Sequence, residues 1–229
     1  MNKKITIAID GFSSTGKSTL AKELAKHLGY VYVDTGAMYR AIALFALQNK
    51  LIGKDFFDSK SLITKLPSIK LAFKFNPELG FAEMYLNDVN VEPRIRTLEV
   101  SNYVSKVAEI SEVRSKLVEQ QKQMGKDKGI VMDGRDIGTV VFPEAELKLF
   151  MTANSKIRAE RRFKELQKKG DSVTFEEVLQ NVEERDYIDT HREDSPLIKA
   201  ADAIEFDNSN VTKDEQFMKV LQLISLSQY

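Results

Sequence analysis

Nine residues, Gly11-Phe12-Ser13-Ser14-Thr15-Gly16-Lys17-Ser18-Thr19, carry the most specific chemistry in the sequence. They match the pattern G-x-x-x-x-G-K-S/T. Gly11 and Gly16 permit backbone angles that other residues resist. The loop N–H groups can then point inward at phosphate oxygens, at the positive end of a following helix. Lys17 can reach the β and γ phosphates, and the Ser18 hydroxyl can ligate Mg²⁺. Such a loop holds a triphosphate. It does not say whether the phosphate goes to water, to a protein or to a small acceptor.

Arginines gathered from several segments point to a small anionic acceptor. Asp34-Thr35-Gly36-Ala37-Met38-Tyr39-Arg40 opens a helix, and Arg40 could hold an acceptor phosphate or lie on the surface. Ile130-Val131-Met132-Asp133-Gly134-Arg135-Asp136 is an apolar strand ending in Asp. Asp133 would orient the water shell of Mg²⁺, and Arg135 and Asp136 would emerge where open α/β sheets bind ligands. A hairpin-like Asp-Gly turn is the plainer reading. Arg158, Arg161 and Arg162 share one helical face. They suit a lid closing over a phosphoryl group, or a solvated face paired with Glu160 and Glu165. Arg185, Asp189 and Arg192 also share a face, fit for a sugar hydroxyl and a phosphate or for a surface ion pair.

Other classes lack their residues. Asn49-Lys50 runs into Leu51-Ile52 and Asn2-Lys3 into Lys4-Ile5, so the guanine-reading N-K-x-D is missing. No H-R-D segment of a protein kinase is present. The 229 residues are 42% hydrophobic and 30% charged, with 34 Lys+Arg against 34 Asp+Glu. That neutrality gives no global field for nucleic acid or an acidic membrane. Cysteine is absent, which removes disulfides and thiolate metal sites. Only His27 and His191 exist to build a His centre. No apolar run is long enough to span a bilayer, and the short run after MNKK lacks the long apolar stretch of a leader.

The elements that must position these residues alternate. Strands are expected at Ile5–Asp10, Tyr30–Asp34, Ile130–Asp133, Leu147–Met151 and Ala203–Phe206. Helices are expected at Ser18–Leu28, Met38–Gln48, Leu98–Ile110, Glu112–Met124 with Ser111 as N-cap, and Lys156–Lys168. A further helix opens on the Thr174–Glu177 capping box and runs to about Thr190, and another starts near Asp214. Between them Ile69–Phe75, Phe81–Leu86 and Val89–Val91 read as a small antiparallel meander broken at Asn87-Asp88. The whole is an α/β chain: a five-stranded parallel sheet of P-loop type, covered on both faces.

In order and spacing, the P-loop, D-T-G-A-M-Y-R, Ser105-Lys106-Val107-Ala108 with Val113-Arg114, Asp133–Pro143, and E-R-D-x-x-D-x-x-R together resemble bacterial cytidylate kinases. The resemblance covers essentially the whole chain, with Asp133–Pro143 its most specific part. It implies one domain over residues 1–229, with a three-layer P-loop fold, a monophosphate-binding insert at about 35–105 and a helical lid at about 154–171. It implies transfer of the γ-phosphoryl of Mg-ATP to CMP or dCMP. By position Ser105, Arg114 and Asp136 would read cytosine, whose O2 and N3 accept and whose N4 donates. Uracil would set an acceptor against Asp136, a mismatch worth roughly 1–3 kcal/mol or more. Thr35, Tyr39, Arg40, Arg135, Arg185, Asp189 and Arg192 would hold the rest of CMP, with Asp189 on a ribose hydroxyl. Family members with Ser at the place of Thr35 keep the same hydroxyl. Lys17, Asp133, Arg158, Arg161 and Arg162 would serve catalysis. No general base is needed, because a phosphate acceptor is mostly dianionic at neutral pH. The expected partners are CMP, dCMP, ATP and Mg²⁺, without nucleic acid or membrane, for a cytoplasmic monomer.

Overall fold

The computed structural model describes residues 4–227. Met1–Lys3, the start of the stretch weighed above as a leader, and Gln228–Tyr229 lie outside the described residues. In chain order the strands and helices are β1 (Thr6–Gly11), α1 (Lys17–Leu28), β2 (Val31–Asp34), α2 (Thr35–Gln48), β3 (Ile52–Gly53), β4 (Phe56–Phe57) and α3 (Ser59–Lys65). Then come β5 (Leu71–Asn76), β6 (Phe81–Leu86), β7 (Val89–Asn90), α4 (Leu98–Ala108) and α5 (Ser111–Met124). The chain continues with β8 (Ile130–Gly134), β9 (Leu147–Thr152), α6 (Ser155–Lys168), α7 (Phe175–His191), β10 (Ile204–Asp207) and α8 (Lys213–Ser227).

Five strands pair in the order β10-β9-β1-β8-β2, every pair parallel. The apolar runs anticipate this: β1 and β8 are buried along their whole length, as strands covered on both faces must be. On one face Ile7, Ile9, Leu149 and Met151 pack on Leu20 and Leu24 of α1 and Val220 and Ile224 of α8. Opposite, Ala8 and Met132 pack on Ile137 and Val141. A separate core joins α2, α4 and α5 to the antiparallel β5-β6-β7 sheet through Met38, Ile42, Met84, Val104 and Leu117. Residues Ala159, Leu166, Val178 and Val182 close α6 against α7.

Several boundaries differ from the sequence reading for local reasons. Helix α2 starts at Thr35 rather than Met38, because the Asp34 side chain accepts from the Ala37 N–H at 3.0 Å and caps it. Ser111 is not the N-cap of α5; it is its first helical residue, and its hydroxyl donates to Asp194 instead. Asn154 caps α6. The Thr174–Glu177 capping box is present. Asn87 and Asp88 both have positive φ, as a two-residue hairpin turn requires. The β3–β4 hairpin and α3 were not foreseen: two-residue strands are too short to show a period.

Candidate active site

Three adjacent strands end in aspartates at one edge of the sheet. Asp34 and Asp133 are paired in register, and Asp10 pairs Gly134. This is the carboxyl edge, beside the point where the chain leaves β1 for β2 and β8 for β9, the usual ligand crevice of such sheets. Each carboxylate is buried and has different partners. Asp10 accepts from the Ile137 and Gly138 N–H groups at 2.8 and 2.7 Å. Asp34 caps α2 and accepts from Arg96 at 2.8 Å. Asp133 accepts from the Ser18 and Tyr32 hydroxyls at 3.0 and 2.8 Å. Burial pushes Asp10 up to about 6, despite its two amide donors. Burial and then Asp34 push Asp133 up to about 6 as well.

A cleft of about 800 Å³ runs along this edge. At one end lie Ser13, Ser14, Gly16, Lys17, Ser18 and Thr19 of the glycine-rich loop. Gly11, in β1, has φ 139°, and a side chain there would collide with the Met151 carbonyl, so this turn admits only glycine. The Lys17 ammonium folds back on its own loop, donating to the Gly11 and Phe12 carbonyls at 2.8 and 2.5 Å. Burial and then Arg135 hold its pKa well below the usual lysine value.

The far end brings together residues from α2, α4, α5, β8 and α7: Thr35, Tyr39, Arg40, Ser105, Arg114, Arg135, Asp136, Arg185, Asp189 and Arg192 all line it. Arg114 and Asp136 form a buried ion pair. Asp189 accepts from Ser105 Oγ at 3.0 Å and from Arg135 Nε at 2.8 Å. Burial opposes charge on Arg135, but Asp189, Asp186 and Asp133 together outweigh it and raise the pKa. Thr35 donates to the Asp133 carbonyl at 2.7 Å.

The arginines divide by how their charge is met. Arg40 donates only to the Ile95 carbonyl, at 3.3 Å, and Arg185 only to Ser101 Oγ, at 3.1 Å. Neither forms an ion pair among the described residues. Burial and then neighbouring cations depress both, Arg185 to about 10 and Arg40 well below its ordinary value. Arg185 Nε and Arg114 Nε are buried without a hydrogen-bond partner among the described residues. Ten lining residues are Lys or Arg and seven are Asp or Glu, so a neutral chain carries a cation-rich cleft.

The three arginines of α6 separate. Arg162 lines the cleft, donating to the Arg96 carbonyl at 2.7 Å and pairing with Glu165 at 2.9 Å. Arg158 and Arg161 do not line it. Arg158 is buried between α6 and α7, paired with Asp186 at 2.6 Å, donating to the Ser13 carbonyl at 3.2 Å and standing over the Phe12 ring. Arg161 donates to Asn208 at 3.0 and 2.8 Å, and Asn208 in turn donates to the Thr15 carbonyl at 2.5 Å. Both thus brace the glycine-rich loop, and the solvated face that competed with the lid reading is absent for buried Arg158 and Arg162. Sequence reasoning missed Lys22, Glu92, Arg96 and Asn208. The i,i+4 spacing of Glu92 and Arg96 was the available signal for that pair; Asn208 left none.

The family described as Cytidylate kinase matches residues 7–226. A cytidylate kinase of Flavobacterium johnsoniae is 74% identical over 223 residues, 97% of each chain. One of Bacteroides thetaiotaomicron is 56% identical over 214 residues, 93% of each chain. A crystal structure described as an uncharacterized protein from Eubacterium ventriosum has a TM-score of 0.50 at 12% identity, covering 98% of this chain and 99% of that one, a likeness of fold alone. A glycine-rich phosphate loop facing an arginine-lined pocket, a family match over residues 7–226 and relatives at this identity lead to one conclusion: the chain belongs to the cytidylate kinase family.

Proposed function

We infer that this chain transfers the γ-phosphoryl of ATP to CMP or dCMP, giving ADP and CDP or dCDP. One observation carries the reading: a single cleft holds two anion-binding ends, the glycine-rich loop and Arg40 with Arg185, two cations without an ion-pair partner among the described residues. A hydrolase that uses water has no need of the second. A bound phosphate would relieve the burial cost of those guanidiniums, and a triphosphate would draw the Lys17 ammonium off its own loop carbonyls. Charge-assisted bonds of this kind are the strong ones.

In this reading Arg40, Arg135 and Arg192 hold the acceptor phosphate. Asp189 meets a sugar hydroxyl, and Arg185 joins the three arginines at the phosphate. Ser105, Arg114 and Asp136 hold cytosine, with Thr35 and Tyr39 against the rest of CMP. Asp136 accepts from N4 and Arg114 donates to O2 or N3, exchanging part of their mutual pair for the base. Ser18 and Asp133 fit Mg²⁺. They are hard oxygen donors 3.0 Å apart, and Asp133 is a buried carboxylate whose charge burial disfavours. Ser18 would ligate the ion directly and Asp133 through water. The bound ion would neutralise charge on the β and γ phosphates. The residues of this chain bring two anions into line and screen their repulsion, with Arg162 at the cleft wall and Arg158 and Arg161 holding the loop. The same reading takes residues 1–229 as one domain with a monophosphate-binding insert (about 35–105) and a lid (about 154–171), in a monomer of the cytoplasm acting without nucleic acid or membrane. No helix among the described residues is long and apolar enough to cross a membrane.

The test is ADP release from Mg-ATP with CMP, dCMP, UMP, AMP, GMP or no acceptor. Stimulation by CMP and dCMP alone is expected. Another preferred nucleotide would discard the cytosine assignments. ADP release indifferent to every acceptor would overturn the kinase reading.

A further inference from the structure

The turn Arg94–Arg96, between the antiparallel insert and α4, belongs to none of the motifs above. It nevertheless meets two helices that carry arginines of the cleft. Its Ile95 carbonyl accepts from Arg40 Nη1 of α2 at 3.3 Å. The next carbonyl, of Arg96, accepts from Arg162 Nη2 of α6 at 2.7 Å. Two cations from two helices are therefore aimed by consecutive backbone carbonyls. Ile95 is fully buried, which anchors the middle of the turn.

The Arg96 side chain ties this turn to its surroundings. Its Nη2 donates to Asp34 Oδ2 at 2.8 Å, and its Nε and Nη2 donate to Glu92 Oε1 at 2.8 and 2.6 Å. The other oxygen of Glu92 accepts from the Met84 N–H of β6 at 3.0 Å. The other oxygen of Asp34 caps α2. A continuous path runs from the β6 backbone through Glu92, Arg96 and Asp34 to the first turn of the helix bearing Thr35, Tyr39 and Arg40. Both carboxylates hold the guanidinium through its fork, a geometry a lysine ammonium matches only in part.

We propose that Arg96 is a positioning residue for phosphoryl transfer: by locking the insert to the cap of α2, it fixes the turn whose carbonyls aim Arg40 and Arg162 at the acceptor phosphate. The proposal rests on the acceptor reading above. Nε and Nη2 of Arg96 are engaged by Asp34 and Glu92, and through these groups it acts on Arg40 and Arg162.

The test compares Arg96→Ala, Arg96→Lys, Glu92→Gln and the Arg96→Ala/Glu92→Gln pair, in the full chain, with Mg-ATP and whichever acceptor the wild type uses best. A wrong cytosine assignment then leaves the test intact. For Arg96→Ala the expected result is an acceptor KM about tenfold higher and a kcat about tenfold lower, with the KM for ATP within about twofold. Arg96→Lys should recover part of both. Glu92→Gln should give part of the loss, and adding it to Arg96→Ala should cost little more, since both act along one path. A lower melting temperature with unchanged kcat and KM would reduce Arg96 to a structural role and overturn the proposal. Fully additive losses would overturn it too, by making Arg96 a direct phosphate contact. If Arg96→Ala fails to fold, Arg96→Lys and Glu92→Gln, singly and combined, carry the same comparison.

Discussion

Replacing Arg185 by Met should stabilise the free protein and weaken its hold on the acceptor, two effects of opposite benefit from one side chain. Arg185 is half-buried, has a single hydrogen bond, to Ser101 Oγ at 3.1 Å, and no ion-pair partner among the described residues. Asp189, four residues on, is engaged by Arg135 and Ser105 instead. Burial, then Arg135, depresses the guanidinium from its ordinary value to about 10. That displacement corresponds to roughly 3 kcal/mol against the charged form. Partial exposure and screening reduce it to about 2 kcal/mol. The sign follows from linkage: the folded pKa lies below the unfolded one, so the cost is fully present at neutral pH and is relieved only as pH rises above about 10. Met keeps much of the side-chain volume and forfeits the Ser101 bond, about 1 kcal/mol. The net gain is about 1 kcal/mol, a rise of about 2–4 °C in Tm for a chain of this length. Losing one charge-assisted bond to the acceptor, about 1.5–3 kcal/mol, should raise the KM for CMP by about 10- to 100-fold. Thermal melting of the free protein and steady-state kinetics with CMP read both. A Tm several degrees lower would refute the argument from burial, and an unchanged KM for CMP would refute the role as an anion partner.

Variants at four further positions probe the cleft and the residues that support it. Asp136→Ala leaves Arg114 buried without its carboxylate and should cost about 3–5 kcal/mol of stability. With the gentler Asp136→Asn beside it, preference for CMP over UMP should fall by about 10- to 100-fold, while the KM for ATP stays within about twofold; equal losses for both acceptors would remove the base-reading role. Arg158→Ala and Arg161→Ala should lower kcat by about tenfold or more, about 1.4 kcal/mol at the transition state, with smaller changes in the KM for CMP. Unchanged turnover in both would mean that bracing the glycine-rich loop is dispensable. For Asp10, folding raises the pKa to about 6, so the stability it contributes is fully present below about 3.8 and lost as pH rises through about 6. Asp10→Asn should remove roughly 3 kcal/mol of pH dependence between pH 4 and 6.5, read from urea midpoints across that range; a variant with the wild-type slope would refute it.

Much of this arrangement was legible in the sequence because it rests on local rules. Gly11, Gly16, Lys17 and Ser18 are fixed by the phosphate loop itself, and the buried strand before it and the helix after it follow from hydrophobic period. The Asn87-Asp88 turn and the Thr174–Glu177 capping box are chemistry within a few residues. Pairing across the fold left no such mark. Nothing in the sequence near Arg158 names Asp186, 28 residues on, and helical spacing pointed to Glu160 and Glu165 instead. The loop residue that Asn208 meets, Thr15, is 193 positions away. The Arg96–Asp34 bond spans 62 positions. Ser111 shows local and distant effects in competition: a serine at a helix start ordinarily caps, but Asp194 takes its hydroxyl.

The same distinction explains how a chain with no net charge can recruit a highly charged pair of substrates. Long-range steering depends on summed charge, which is zero here. Local affinity depends on which cations the fold leaves without a carboxylate. Arg114, Arg135, Arg96 and Arg158 are each met by an aspartate or glutamate, and their charge is spent on holding shape. Arg40, Arg185 and Lys17 have no such partner among the described residues and answer only to carbonyls and hydroxyls. Their charge is available to a phosphate, at the cost of burying it while the cleft waits. Affinity for the anions should therefore fall with salt less steeply than for a basic surface, because the cations that matter are partly desolvated and poorly screened. Measuring the KM for CMP between 50 and 300 mM salt tests this. A steep linear loss on a logarithmic plot would mean that the exposed rim, not the partnerless interior, gathers the substrate.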